Sequence, residues 1–101
     1  MAVKLLMSWD ILPGREQEYF EFLVRDFIPG LQRLGLEPTD AWYTMYGENQ
    51  PQILTAAVMP SQQALQRVMQ SSEWQQLIEQ LMTFVKGFST KIVPARRGFQ
   101  I

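Results

Sequence analysis

The 101-residue sequence contains no cysteine and no histidine. The absence of cysteine excludes disulfide bonds, thiolate zinc sites and thiol nucleophiles. The absence of histidine excludes an imidazole base, a serine–histidine triad, a histidine-ligated haem and an HExxH-type metal site. We therefore expect neither a metal site nor a cofactor, and the sequence identifies no catalytic residue.

The chain also lacks an excess of charge of either sign. Nine lysines and arginines stand against ten aspartates and glutamates, which gives a net charge of −1. Nucleic-acid binding relies on a basic face, so we expect no nucleic-acid partner. The apolar run at 5–7 ends before Asp10, far short of the roughly 20 residues that cross a membrane. The sequence therefore predicts a cytoplasmic protein with no membrane partner.

Apolar residues are plentiful, at 47% of the chain, and aromatic residues make up 12%. This composition is typical of a folded chain rather than a disordered one. The length fits one domain of about 100–200 residues. We expect a single domain over 1–101, with 95–101 as a C-terminal tail.

The first half of the chain predicts a strand followed by a helix. Apolar residues alternate along 3–11, as on a strand with one dry face, and Pro13-Gly14 ends the strand in a turn. A helix follows from about Arg15, with an apolar stripe reaching Leu34. Pro29 predicts either a kink or a break with a short second helix over 29–34, and Gly35 predicts a left-handed cap.

The second half predicts a hairpin, a broken helix and a last strand. The hairpin joins strands at 41–47 and 53–59. Ser61 predicts the first helix cap, and Ser72 with Gln75 has the form of a capping box, so the helical region is broken near Ser71-Ser72. Lys86-Gly87 favours a helix C-terminus, and the last strand is predicted over 88–93.

The predicted order β-α-β-β-α-β is that of an α+β, ferredoxin-like domain. Right-handed crossovers place both helices on one face of a four-stranded antiparallel sheet. The two middle strands carry large apolar side chains on both faces, so the face without helices would be an interaction patch. A second copy of the chain is its simplest cover, and we expect a homodimer.

Four features resemble the dimeric α/β-barrel superfamily, with NIPSNAP-like and related small uncharacterised members the most similar. They are Pro13-Gly14 after the first strand, Phe27-Ile28-Pro29, Gly35 at the helix end, and 72–75 opening the second long helix. The resemblance implies two ferredoxin-like units paired into a barrel, with a cavity between helices and sheet. Activities in this superfamily include cofactor-independent oxygenation, haem degradation and small-molecule binding. Haem degradation depends on a proximal histidine, which this sequence lacks.

Polar and aromatic residues on the mixed strand faces are the candidate pocket lining. They are Ser8, Asp10, Trp42, Thr44, Tyr46, Thr55 and Lys91. Three of them also have a structural interpretation: Asp10 can cap the Pro13-Gly14 turn, Lys91 can shield an edge strand, and Trp42, like Trp9, can belong to the core or the dimer face.

The sequence leaves three functions open. The first is a homodimeric protein that binds a small hydrophobic molecule or has a structural role. The second is a cofactor-independent monooxygenase or isomerase acting on a hydrophobic or aromatic substrate. The third is a protein–protein interaction module whose sheet faces another protein.

Overall fold

The structure is a computed structural model that describes residues 1–39, 43–44 and 52–95. Strand β1 (Val3–Ile11) runs through the middle of the sheet and pairs antiparallel with β4 (Ile53–Met59) and β5 (Val85–Pro94). Pro13-Gly14 forms the turn after β1, with Gly14 at φ +83°. The first strand and its turn are as predicted.

The first helical region is continuous but changes its winding before Pro29. Helix α1 (Glu16–Phe22) passes into a π-helical segment (Leu23–Phe27), and α2 (Ile28–Arg33) follows directly. The amide of Ile28 donates to the carbonyl of Leu23, five residues back. Proline has no amide hydrogen and its ring clashes with the carbonyl four residues earlier, so the wider turn lets the chain stay helical up to Pro29. A short second helix therefore forms, joined by a π turn rather than by a break.

Helix α2 ends in a Schellman motif, as Gly35 predicted. Gly35 has φ +87°, and its amide donates to the carbonyl of Gln32 at 3.0 Å. The amide of Leu36 donates to the carbonyl of Leu31 at 2.9 Å, and both leucine side chains are fully buried. Glycine adopts this left-handed conformation without steric cost, so it ends the helix and turns the chain toward the sheet.

The edge of the sheet beside β4 is described in two short pieces. Strand β2 (Glu37–Pro38) pairs with the end of β4 and β3 (Tyr43–Thr44) pairs with its beginning. The order is β2-β4-β1-β5, with β3 beside β4. Both pieces occupy one edge position, so the sheet has the four positions of the ferredoxin-like plan. The strand predicted over 41–47 falls within the described residues only at 43–44, and β2 has no counterpart among the predicted elements.

The second helical region is broken where the sequence predicted, but a different serine caps it. The Ser61 hydroxyl accepts from the amide of Ala64 at 3.1 Å and begins α3 (Gln62–Met69). Helix α4 (Ser72–Leu81) begins with Ser71, whose hydroxyl accepts from the amide of Trp74 at 3.2 Å. The same hydroxyl donates to the carbonyl of Val68 at 2.6 Å. The capping box assigned to Ser72 was therefore wrong. Ser71 caps α4 instead, because its one hydroxyl can accept from the start of α4 and donate to the end of α3.

The assignment of Lys86 and Gly87 to a helix end was also wrong. Helix α4 ends at Leu81, and β5 already begins at Val85. The pairing of β1 with β5 shifts by one residue between Ser8 and Asp10, and Gly87 lies in this bulge with φ +66°. A bulge needs the same left-handed glycine as a helix cap, so the glycine alone does not distinguish the two.

The helices cover one side of the sheet, which places the core there. On this helix-facing side, alternate residues of β1 join the helical side chains in one buried cluster. These β1 residues are Val3, Leu5, Met7, Trp9 and Ile11. Gly30 lets α2 approach α4 closely, since a Cβ there would lie 2.9 Å from Leu77 Cδ2. The α+β, ferredoxin-like architecture with helices on one face is as predicted.

Candidate functional site

The opposite side of the sheet, which we call the open face, follows from the strand register. Directly paired residues of antiparallel strands point to the same face. The β1 residues of the open face are Lys4, Leu6, Ser8 and Asp10, and their partners are Val58, Ala56 and Leu54 in β4 with Val93, Lys91, Ser89 and Lys86 in β5. None of these side chains belongs to the buried cluster beneath the helices.

Four of the seven candidate residues can be assigned to one of the two sides. Ser8, Asp10 and Lys91 lie on the open face, whereas Thr55 is paired with Met7 on the helix-facing side. The backbone of Thr44 pairs with Ile53 at the sheet edge. Trp42 and Tyr46 lie outside the described residues. The structure thus brings Ser8 and Lys91 together and places Thr55 on the opposite side of the sheet, so these residues do not share one pocket. The role of each of them in lining a pocket stays a prediction.

A groove of about 210 Å³ lies on the open face, over the middle of β1 and its neighbours. Leu6 and Leu54 give it an apolar lining, and both are half-buried. Its polar lining comes from the register partners Ser8 and Ser89 and from Lys91, the register partner of Leu6. Apolar walls with a few polar groups are the usual composition of a small-molecule site.

Asp10 does not line the groove; it lies near the end of β1 and joins this strand to the residue before β4. Its Oδ1 accepts from the amide of Gln52 at 2.8 Å, and the Gln52 Oε1 accepts from the amide of Ile11 at 3.0 Å. This reciprocal pair ties the end of β1 to the start of β4. A Cβ on Gly87 would lie 3.7 Å from the Asp10 Oδ2, so the bulge brings β5 to the same carboxylate.

Thr55 is fully buried on the helix-facing side, and its Oγ1 has no hydrogen-bond partner among the residues that the structure describes. A buried hydroxyl without a partner costs free energy, about 1–3 kcal/mol. Such groups in folded proteins call for a reason, such as a water molecule, strain or a role in binding. Thr55 is therefore the candidate residue that best fits a site between sheet and helices.

An aromatic cluster fills the space between β1 and the first helical region. The Trp9 Nε1 donates to the Tyr19 hydroxyl at 3.0 Å, and the Trp9 ring contacts Phe27 edge-on at 5.9 Å and stacks on Phe88 at 6.0 Å. Burial raises the pKa of Tyr19 to about 12, although the hydrogen bond from Trp9 acts in the opposite direction. Trp9 thus belongs to the core, and its place in the β1 alternation was the signal for this.

The described residues offer little support for metal binding or membrane crossing. Within 1–39, 43–44 and 52–95 there is no cluster of three or more acidic, histidine or cysteine side chains that could hold a metal ion. Over the same residues no helix is both long enough and apolar enough to span a bilayer.

Comparison with known proteins identifies the fold. No family model matches the sequence, and no curated protein does. An ethyl tert-butyl ether d (ethd) family protein from Bacillus halodurans superposes with a TM-score of 0.73 at 20% identity, over 95% of this chain and all of the other. The chain has the ferredoxin-like fold of this protein and its structural relatives.

Two further solved structures bear on the expected resemblance. A NIPSNAP family protein from Agrobacterium tumefaciens has a TM-score of 0.66 at 13% identity, over 96% of this chain and 95% of the other. SnoaB, a cofactor-independent oxygenase from Streptomyces nogalater, has a TM-score of 0.69 at 13% identity with the same coverage. The expected resemblance to NIPSNAP-like and related members is confirmed at the level of the fold. Fold alone does not determine an activity.

Proposed function

We propose that the protein is a homodimer whose open faces pack together and that it binds a small hydrophobic molecule. The carrying observation is the apolar middle of the open face. Leu6, Leu54 and Val58 are half-buried there, and none of them packs with the buried cluster under the helices. Within one chain this surface has no helical cover among the described residues. The cytoplasmic location predicted from the sequence belongs to the same proposal.

The charges of the open face favour a second copy as the occupant. Glu37 in β2, the partner of Val58, lies at one edge of the sheet, and Lys91 in β5 lies at the other. Glu37 is level with Lys4 across the sheet, and Lys91 is level with Leu6. Lys4 and Leu6 are two residues apart on β1, so Glu37 and Lys91 are offset by about 7 Å along the strands. A two-fold axis parallel to the strands therefore brings Lys91 of each copy near the partner's Glu37. Self-complementary surfaces of this kind suit a two-fold dimer.

Light scattering at micromolar concentration tests the dimer. We expect about twice the 11.8 kDa mass of the chain. Val58→Lys places a second ammonium beside Lys4 and faces the other sheet, so it should weaken association roughly tenfold or more. The matched control is Val24→Lys, because Val24 is 71% exposed on the helical layer. A monomeric wild type, or equal loss in both folded variants, would contradict the proposal. A monomeric wild type would favour the interaction module with a different partner.

A second candidate is a cofactor-independent monooxygenase or isomerase acting on an aromatic substrate. It is supported by the fold shared with SnoaB and by the unpaired Thr55 hydroxyl on the helix-facing side. A methylene group and O₂ can give a carbonyl group and water, so the substrate itself supplies all the electrons. The test is oxygen uptake with an aromatic compound that carries an acidic methylene group. Uptake that falls in a folded Thr55→Val variant would support this candidate, and no uptake by the wild type would count against the oxygenase.

A further inference from the structure

The groove on the open face combines an apolar lining with polar side-chain groups that make no hydrogen bond or ion pair to any described residue. The hydroxyls of Ser8 and Ser89 have no hydrogen-bond partner within the described part of the chain. Lys91 is exposed, and no described residue forms an ion pair with it. An ammonium and two hydroxyls are therefore available beside Leu6 and Leu54.

The spacing of these groups suits an anion. Ser8 and Ser89 are directly paired across β1 and β5, and Lys91 follows two residues after Ser89 on the same face. Two residues along a strand cover about 7 Å, within reach of a flexible lysine side chain. A carboxylate has two oxygens with about four acceptor positions, so it can take hydrogen bonds from all three groups.

The charge and size of the groove limit the ligand further. Of the open-face residues, Lys4, Lys86 and Lys91 are cationic. The described carboxylates of this face are Asp10, which already accepts from the amide of Gln52, and Glu37 at the opposite edge of the sheet from Lys91. The volume of about 210 Å³ corresponds to about seven water molecules. A single ring or a short chain with one acidic group fits this space.

We infer that this groove binds a small carboxylic acid with an apolar body, whose carboxylate is held by Lys91, Ser8 and Ser89. The apolar body lies over Leu6 and Leu54. This inference rests on the proposed dimer, because the partner's sheet closes the groove and removes from water the ion pair between Lys91 and the ligand carboxylate. The Lys91 ammonium has three donors, so in the dimer it can meet both the partner's Glu37 and the ligand carboxylate. Ligand binding and dimerisation are then linked, and the ligand favours the dimer.

Benzoate is a suitable probe, with benzamide as its neutral match of nearly the same shape. Amide NMR of the full chain should show benzoate shifting residues 6–8, 54 and 89–91, with weaker binding of benzamide and of inorganic phosphate. Lys91→Gln should reduce benzoate affinity about tenfold, the value of a hydrogen bond to a charged group. Lys86→Gln is the matched control, since Lys86 lies on β5 outside the groove lining and should retain the affinity. Both variants are compared at a protein concentration at which light scattering shows them to be dimeric, so that a loss of affinity reports the site and not the dimer.

The possible results separate this inference from the proposed dimer. Equal binding of benzoate and benzamide, equal loss in both lysine variants, or stronger binding of phosphate would overturn the carboxylate site. No binding by a protein that light scattering shows to be dimeric would overturn the site and leave the dimer standing. Benzoate affinity that falls on dilution into the monomer range would support both, and a protein that is monomeric with or without benzoate would overturn the closed groove.

Discussion

The nine residues of β1 alternate between two faces of the sheet, and these two faces differ in what they contact. On the helix-facing side Trp9 is fully buried and contacts three aromatic rings. On the open face Leu6 and Ser8 are only half-buried and line a groove. The first face is packed against helices of the same chain, whereas the second has no helical cover among the described residues, and we propose that a second copy covers it. Stability should therefore reside on one side of the strand and association on the other.

The largest expected effect is on the helix-facing side. Trp9→Ala should lower the free energy of unfolding by about 3–5 kcal/mol, because it removes a fully buried ring from a packed cluster. Leu54→Ala on the open face should cost under about 2 kcal/mol, since that side chain is only partly removed from water. Urea denaturation of both variants at one protein concentration makes the comparison. Equal losses of unfolding free energy would mean that both faces contribute equally to stability, which contradicts this comparison.

The next effect is a loss of stability in alkali that depends on Tyr19. Its pKa is raised to about 12 in the folded protein, against about 10 in an unfolded chain. The folded state therefore holds this proton more tightly, so the contribution is complete below about pH 10 and disappears as the pH rises to about 12. The free energy of unfolding should therefore fall by about 3 kcal/mol as the pH rises over this range.

Denaturation midpoints of the wild type and of Tyr19→Phe from neutral to alkaline pH isolate this effect. The variant should lose about 1–3 kcal/mol at neutral pH, because the buried Trp9 N–H loses its acceptor. The gap between the two proteins should then close or reverse toward about pH 12. Parallel pH profiles would show that the Tyr19 hydroxyl is not titrating from a buried position.

A smaller effect tests the junction between α3 and α4. Ser71→Ala should cost about 1 kcal/mol, because it removes the hydroxyl that caps α4. Ser72→Ala is the matched control at the neighbouring exposed position and should cost no more than about 0.5 kcal/mol. Thermal denaturation of the two variants decides the matter, and a larger loss in Ser72→Ala would restore the capping box predicted from the sequence.

The smallest effect should have the opposite sign. Thr55→Val keeps the shape of the side chain and removes a buried hydroxyl without a partner, so stability should stay unchanged or rise by up to about 1 kcal/mol. Chemical denaturation measures the change. A loss greater than about 1 kcal/mol would mean that the hydroxyl has a hydrogen-bond partner, such as a bound water, inside the folded protein.

The order of strands and helices could be predicted from the sequence, because it depends on patterns repeated over many residues. The alternation along β1 identified the helix-facing side, and it also contained the information that Trp9 is in the core. Local features were harder, because one residue type serves several structures. Gly35 and Gly87 both have positive φ, yet one ends a helix and the other forms a bulge. Which applies depends on the partner strand, which the local sequence does not contain.

The candidate site shows the same limit more strongly. Ser8 and Lys91 were grouped from the sequence, and they share a groove because β1 and β5 are neighbours in the expected register. Thr55 was grouped with them as a polar residue on a strand, but its register with Met7 places it on the other side. The Asp10–Gln52 pair was not foreseen, since it joins residues that only the sheet brings together.

The outer strand β5 bears on how the protein avoids uncontrolled aggregation. In the described part of the sheet this ten-residue strand is an edge, and edges offer free backbone groups to strands of other molecules. Its bulge at Gly87 distorts the regular hydrogen-bond ladder, Lys86 and Lys91 add like charges, and Pro94 supplies no amide hydrogen. Growth by addition of strands is therefore disfavoured at this edge, which suits the face-to-face pair that we propose.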